Sequence, residues 1–256
     1  MILLLTGCIN PAGMSYTTLI NPEERKKQYV DAIHFYLSKT NYPIVFSENS
    51  GIDISYCFHD DIKSGRLEVL CFHGNQDKTR GKGYGECEII EYALQNSKLI
   101  NSSIEERIIK ITGRLKVKNI KMIIHLHTFL FSKQTTICAI NSDLSFPDSR
   151  IIIAAKTFYL SFLKNKDKIN DTEGYYFEHA LCDILKEEKK YPYSPFLFIP
   201  FIEGSSGSSG KTYTNKKLSF SFSLKYLKYA LSQRWRFYKL YRSVCFYCIK
   251  YSIYIL

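Results

Sequence analysis

Between residues 204 and 256 the sequence contains no aspartate or glutamate. The same stretch holds ten of the 35 lysines and arginines: Lys211, Lys216, Lys217, Lys225, Lys228, Arg234, Arg236, Lys239, Arg242 and Lys250. All 24 acids lie in residues 1–203, so the net charge of +11 belongs almost wholly to the tail. A nucleic-acid enzyme carries basic surface into its folded body. This near-neutral body excludes that class as the first choice and points to a local anionic partner. No apolar run reaches about 18 residues, so no transmembrane helix is predicted. The eight cysteines lack a framework spacing, and several sit inside apolar runs as small hydrophobes of a reducing compartment. Cys245 and Cys248 form one Cys-x-x-Cys without the second pair that a zinc site needs. Leu5-Thr6-Gly7-Cys8 has the outline of a lipoprotein box but no cationic segment before it, and reads as the end of a buried strand.

What is present is an ordinary globular composition, 45% apolar and 23% charged, with 20 tyrosines and 17 phenylalanines. Apolar runs at 2–5, 43–46, 67–72, 107–112, 136–141 and 196–200 read as strands. Asn21-Pro22-Glu23-Glu24 opens a helix with a cap residue, a proline and two acids. Further helices are expected over 85–97, 117–131, 151–163 and 173–189. Alternating strands and helices predict an α/β fold, a mostly parallel sheet with helices on both faces. Such sheets bind ligands in the loops that leave the carboxyl ends of strands. The glycine- and serine-rich segment 204–217 is expected to be a flexible linker between a catalytic domain at 1–203 and a tail at 218–256.

The polar clusters fall where that argument wants them. They are Thr6-Gly7-Cys8-Ile9-Asn10, Glu48-Asn49-Ser50, Arg80-Gly81-Lys82-Gly83-Tyr84-Gly85-Glu86, Thr112-Gly113-Arg114, and Asp143 with Asp148-Ser149-Arg150. Residues 81–86 are neither a Walker loop nor a dinucleotide fingerprint. Their glycines and helix-start N–H groups suit a phosphate; the plain alternative is a flexible basic loop. His125 and His127 alternate in an apolar stretch and are expected to be structural.

Together the motifs Thr-Gly-x-Ile-Asn-Pro, Glu-Asn-Ser, Lys-Gly-Tyr-Gly-Glu, Lys-Ile-Thr-Gly-Arg and Asp-Ser-Arg resemble those of GT-A type glycosyltransferases, and in particular small transferases of bacterial capsule and O-antigen gene clusters. The resemblance covers roughly residues 1–203. It implies a GT-A-like (Rossmann-like) domain that moves a hexosyl or related sugar from a nucleoside-diphosphate sugar to a glycan or lipid-linked glycan. Thr6, Gly7, Asn10, Glu48, Asn49, Lys82, Gly83, Gly85, Arg150 and His179 would hold the donor. Glu178, at the head of a late helix, would be the general base; the plain alternative is a solvent-facing residue. The family's Asp-x-Asp metal motif is replaced by Thr112-Gly113-Arg114. Arg114 would then neutralise the leaving diphosphate, unless it serves a structural salt bridge, with Asp148 as a further catalytic candidate. No obligatory cofactor follows, although Asp143 and Asp148 offer a place for manganese or magnesium.

Residues 218–256 carry twelve aromatics among the cations. Leu224, Leu227, Leu231, Trp235 and Tyr238 recur at helical spacing. A basic amphipathic helix of this kind docks in the headgroup plane of an anionic membrane, which places the protein in the cytoplasm, on the inner face of the plasma membrane, with no nucleic acid as partner. The alternative is that the stripe packs on the protein's own body. Two other functional classes remain: a nucleic-acid-binding module using the tail, and a non-catalytic assembly protein of a glycan cluster.

Overall fold

The computed structural model describes residues 1–11, 13–14, 17–103, 107–207, 210–213 and 220–241. The expected features at Lys216, Lys217, Leu218, Arg242, Cys245, Cys248, Lys250 and Tyr254 lie outside the described residues. In chain order the elements are β1 (Ile2–Gly7), α1 (Pro22–Lys39), β2 (Ile44–Glu48), α2 (His59–Lys63), β3 (Leu67–Cys71), α3 (Lys82–Asn96), α4 (Lys98–Ser102) and β4 (Arg107–Thr112). They continue with β5 (Lys116–Val117), α5 (Ile120–Leu130), β6 (Thr136–Ile137), β7 (Ile151–Ala155), α6 (Lys156–Leu163) and α7 (Phe177–Glu187). The last are β8 (Tyr193–Ser194), β9 (Ile202–Ser205), β10 (Thr212–Tyr213) and α8 (Phe220–Tyr241).

The main sheet runs β3-β2-β1-β4-β7-β6-β8. Its first four strands are parallel, and β7 is antiparallel to both β4 and β6. The mostly parallel α/β sheet with helices on both faces is therefore as expected. Alternation along β1 divides the core. Ile2 and Leu4 join Val45, Ile90, Ile108, Phe177 and Leu181 on the face covered by α3, α6 and α7. Leu3 and Leu5 join Ile33, Phe46, Ile109, Ile123 and Ile124 under α1 and α5. Asn21 caps α1 as its sequence predicts, accepting from the Glu23 and Glu24 N–H groups at 3.0 and 3.3 Å.

Three expectations need correction. Residues 151–155 are a strand, not the start of a helix: Ile151, Ile152 and Ile153 are β-branched, and the strand is buried on both faces beside β4. Phe196 lies in the core outside any strand, and the neighbouring strand is β8. The segment expected to be a linker begins as β9, which pairs antiparallel with β5 and β10. Residues 202–205 and 212–213 thus pair with the body.

Helix α8 forms within the expected tail, but it turns a different face inward. Ala230, Gln233 and Phe237 are buried, and Gln233 Nε2 donates to the Ile140 and Asn141 carbonyls at 3.2 and 3.1 Å. Trp235, placed in the apolar stripe by the sequence, is 52% exposed, and Leu240 is 61% exposed. Among the described residues no helix is long and apolar enough to cross a membrane. Phe237→Ala should cost about 3–5 kcal/mol in denaturant unfolding, whereas Trp235→Ala should stay within about 0.5 kcal/mol. Equal effects would mean that α8 is not anchored by the face described.

Candidate active site

The strand order reverses between β1 and β4, and a ligand crevice is expected outside their carboxyl ends. Gly113 lets the two ends meet: its N–H donates to the Thr6 carbonyl at 2.8 Å, and a Cβ there would sit 2.7 Å from that oxygen. A cavity of about 460 Å³ opens at this point. Because β7 runs the other way, the loop entering it arrives at the same rim, where the Arg150 carbonyl accepts from the Thr112 N–H at 3.0 Å.

Two arginines form one wall. Arg25, one turn into α1, donates through Nε to the Cys8 carbonyl at 2.8 Å and through a terminal nitrogen to the Leu19 carbonyl at 3.2 Å. Arg114 donates to the Ser205 carbonyl at 3.0 Å and to Gln28 Oε1 at 3.3 Å, and its Nε has no partner among the described residues. They are 5% and 7% exposed, and neither has a carboxylate within ion-pair distance among the described residues. Burial pushes the Lys82 ammonium below the ordinary lysine value; Asp171 opposes this, and the charges of Arg25 and Arg114 reinforce it. Among the described residues the two guanidiniums thus bring positive charge without an ion-pair partner to a ligand-sized cavity.

Carboxylates stand on the other side. Lys110, wholly buried in the middle of β4, bonds Glu86 Oε1 at 2.5 Å and the Ser149 carbonyl at 2.7 Å. Thr6 Oγ1 donates to the same Glu86 oxygen at 2.7 Å. Ser149 Oγ donates to Glu178 Oε1 at 2.6 Å. Burial holds the Glu178 carboxyl above the usual glutamate value, with the Ser149 hydrogen bond and the Lys110 charge pulling the other way. That is the direction wanted of a general base working near neutral pH. Beside it Phe146 and Tyr176, both part-exposed, line the rim. His179 lies behind them, its ring centre 5.4 Å from that of Phe146 and 5.3 Å from that of Tyr176.

Of the residues singled out in sequence, Thr6, Asn49, Lys82, Gly83, Gly85, Arg114, Arg150 and Glu178 line this cavity. Others are placed elsewhere. Glu48 is buried beneath the loops, where its carboxylate accepts the N–H groups of Ile9, Ser50 and Ile52 at 2.8, 2.9 and 3.0 Å. Gly7 faces the Phe46 ring, which leaves no room for a Cβ. Asn10 is exposed and donates its N–H to Ser50 Oγ. His179 accepts the Tyr176 N–H at 3.1 Å. Asp148 is clamped by Arg150, whose Nε lies 2.9 and 3.0 Å from its two oxygens. Asp143 closes an exposed turn by accepting from Ser145. The acids expected to offer manganese or magnesium a place are therefore otherwise engaged, and among the described residues no three His, Cys, Asp or Glu side chains gather as a metal site. His127 is structural, with Nδ1 at 2.6 Å from the Ile123 carbonyl and burial pushing its pKa down to about 4. Cys8 lines the cavity, but burial pushes its thiol up to about 11, which keeps it protonated.

The sequence reading missed Arg25, Asn75, Lys110, Phe146, Tyr176 and Asp171 as contributors. Arg25 had one signal, its place four residues before Tyr29 on the inward face of α1. The others come from distant segments that only the sheet order brings together.

No protein-family profile matches the chain, and no curated protein matches it in sequence. Several solved structures align with it at low similarity. The glycosyltransferase GlyE of Streptococcus pneumoniae aligns with a TM-score of 0.44 at 10% identity, over 75% of this chain and 44% of its own. This chain thus spans less than half the length of that enzyme. HddC of Yersinia pseudotuberculosis aligns with a TM-score of 0.45 at 14% identity, over 80% of this chain and 93% of its own. A cytidylyltransferase from Leptospira borgpetersenii aligns with a TM-score of 0.42 at 12% identity, over 90% of this chain and 95% of its own. Likeness at this level does not bear on activity.

The raised Glu178 carboxyl makes a stability prediction. A folded-state pKa above the unfolded value adds stability below the unfolded value, near 4.3 for glutamate, and that stability is lost as pH rises through the folded one. Glu178→Gln should therefore melt higher than the parent at pH 7, with the gap closing as pH falls toward about 4. A gap independent of pH would mean that the carboxyl is not perturbed by folding.

Proposed function

We propose that the chain is a glycosyltransferase that moves a sugar from a nucleoside-diphosphate sugar to a glycan hydroxyl. The observation that carries the reading is the pair of buried guanidiniums, Arg25 and Arg114, with no carboxylate at ion-pair distance among the described residues, in the same cavity as the partly buried acid Glu178. Fixed positive charge in a water-poor site stabilises a departing diphosphate far better than the same charge in water. The two arginines hold the diphosphate, and Asn49 and Asn75 face the nucleoside end of the cavity. Glu178 Oε2 takes the proton of the acceptor hydroxyl, and Ser149 holds the other oxygen. The hydroxyl oxygen forms a bond to the anomeric carbon as the bond to the diphosphate oxygen breaks. The electron pair of that bond leaves with the diphosphate, onto the arginine wall. This is an inverting displacement. Arg114 thus takes the place that the Asp-x-Asp motif holds in the GT-A enzymes that the sequence resembles.

The acceptor in this reading is an oligosaccharide or lipid-linked glycan of bacterial surface polysaccharide synthesis, met at the cytoplasmic face of the membrane. What supports the location is the outward face of α8, where Lys225, Lys228, Arg236 and Lys239 alternate with exposed Leu224, Tyr229, Trp235 and Leu240. Each cation near an anionic leaflet contributes about 1 kcal/mol.

The first test is a thermal-shift panel of nucleoside-diphosphate sugars. A ligand at 100 times its dissociation constant stabilises by about 2.7 kcal/mol, and no shift across the panel would end the reading. With the donor in hand, transfer should survive excess EDTA, and Arg114→Ala should raise the barrier by about 2–4 kcal/mol. Activity that EDTA abolishes and manganese restores would overturn the arginine role. Glu178→Gln should lower turnover on the order of 10²–10⁴-fold with donor affinity unchanged. Flotation with vesicles of phosphatidylcholine and phosphatidylserine should recover the full chain at low salt, and Trp235→Ala with Leu240→Ala should reduce it. Flotation that does not depend on phosphatidylserine would remove the membrane role.

A further inference from the structure

The first turn of α3 is where the sequence invites a phosphate, yet the molecule fills it with its own carboxylate. Asp171 comes from the tight turn Asp171–Glu173 ahead of α7, and its Oδ2 accepts the Gly83 N–H at 3.0 Å. The glycines of this stretch make room for that side chain. A Cβ on Gly81, whose φ is +85°, would lie 2.5 Å from Asp171 Cβ, and one on Gly83 would lie 2.7 Å from Asp171 Oδ1. The positive end of the helix is thereby neutralised from within, and a second anion there would meet like charge.

The other oxygen of the same carboxylate is left over. Asp171 is 6% exposed and lines the cavity, and its Oδ1 has no hydrogen-bond partner among the described residues. An acceptor held away from water without a donor is costly, and a ligand hydroxyl placed there removes the cost. The site is close to the reacting end. The space over Gly83 that touches Oδ1 also touches the Phe177 nitrogen at 3.0 Å, and Phe177 directly precedes Glu178. A phosphate is repelled from this corner; a neutral polyol is not.

We propose that Asp171 Oδ1 accepts a hydroxyl hydrogen of the transferred sugar, so that the sugar lies over Asp171 and Glu178 while the diphosphate lies toward Arg25 and Arg114. Asp171 is then a specificity residue for the donor sugar, and residues 81–85 are a hydroxyl-reading corner in place of a phosphate cradle. The inference rests on the glycosyl-transfer reading above.

The test compares two affinities on the intact chain by calorimetry. The probes are the nucleoside diphosphate picked out by the panel and its hexose derivative. In Asp171→Asn one side-chain atom still accepts the Gly83 N–H, but an amide nitrogen can now face the sugar. It should bind the nucleoside diphosphate within about twofold of the parent. It should lose on the order of ten- to a hundredfold for the hexose derivative, the worth of a hydrogen bond to a charged group. Asp171→Ser, which keeps a small hydroxyl at the helix start, gives the same comparison should the asparagine variant fail to fold. Equal losses for both probes would make Asp171 a helix cap alone, and no loss for the hexose derivative would also overturn the proposal. A parent protein that binds neither probe would sink the glycosyl-transfer reading itself, and this proposal with it.

Discussion

One buried cation organises the centre of this protein. Lys110 has no exposed surface, sits in the middle of a central strand, and shares its ammonium between Glu86 and the Ser149 carbonyl. Its charge also lies 5.5 Å from the centre of the Phe177 ring. Through Glu86 it ties α3 to Thr6 at the end of β1, and through Ser149 it reaches Glu178 on α7. Removing one member of such a pair leaves the other charge buried and unpaired, at a cost of about 3–5 kcal/mol. The elements that frame the cavity are therefore fixed to one another by polar contacts, above the two apolar layers that hold the sheet.

The cavity itself works against folding. Among the described residues two arginines are buried with only neutral partners, and two carboxyls, Glu178 and Asp171, are held above their ordinary values chiefly by burial. None of these groups is in the place that maximises stability. The surrounding sheet, with Leu3, Leu4, Leu5, Val45, Phe46 and Ile109 fully buried, supplies the margin that tolerates them. A site whose fixed charges are waiting for a charged ligand accounts for the pattern better than a core that has failed to satisfy itself.

How much of this was legible in the sequence follows from the range of each interaction. The ends of β1, β2 and β4 could be read because an apolar run stops where polar residues begin, and the sheet argument then puts Thr6, Asn49 and Arg114 at one rim. The start of α1 could be read because Asn21 caps it through contacts two and three residues away. Ile151–Ala155 was misread because a short apolar run joined to a helix has no boundary in its periodicity; its strand character comes from pairing with β4, some forty residues earlier. Gly81 and Gly83 advertised a close approach, but not what approaches. The carboxylate that fills the space is 88 residues away from Gly83 in sequence. Glu48 and Asp148 carried the right chemistry for ligand contact and were consumed by local backbone and by Arg150.

The reversal of direction between β4 and β7 has a further consequence. In an all-parallel sheet every segment that reaches this rim is leaving a strand. Here the chain also arrives at the rim, along the segment that ends in Ser149 and Arg150 before β7 begins. The two kinds of segment divide the work: departing ones bring the arginine wall and the amides, while the arriving one brings Phe146 and Ser149. Their lengths are independent, because each is anchored to a different strand. Insertions or exchanges between β6 and β7 can remodel what the open side of the cavity accepts while the opposite wall stays as it is. The architecture therefore lets new ligand preferences arise by changes confined to one connection.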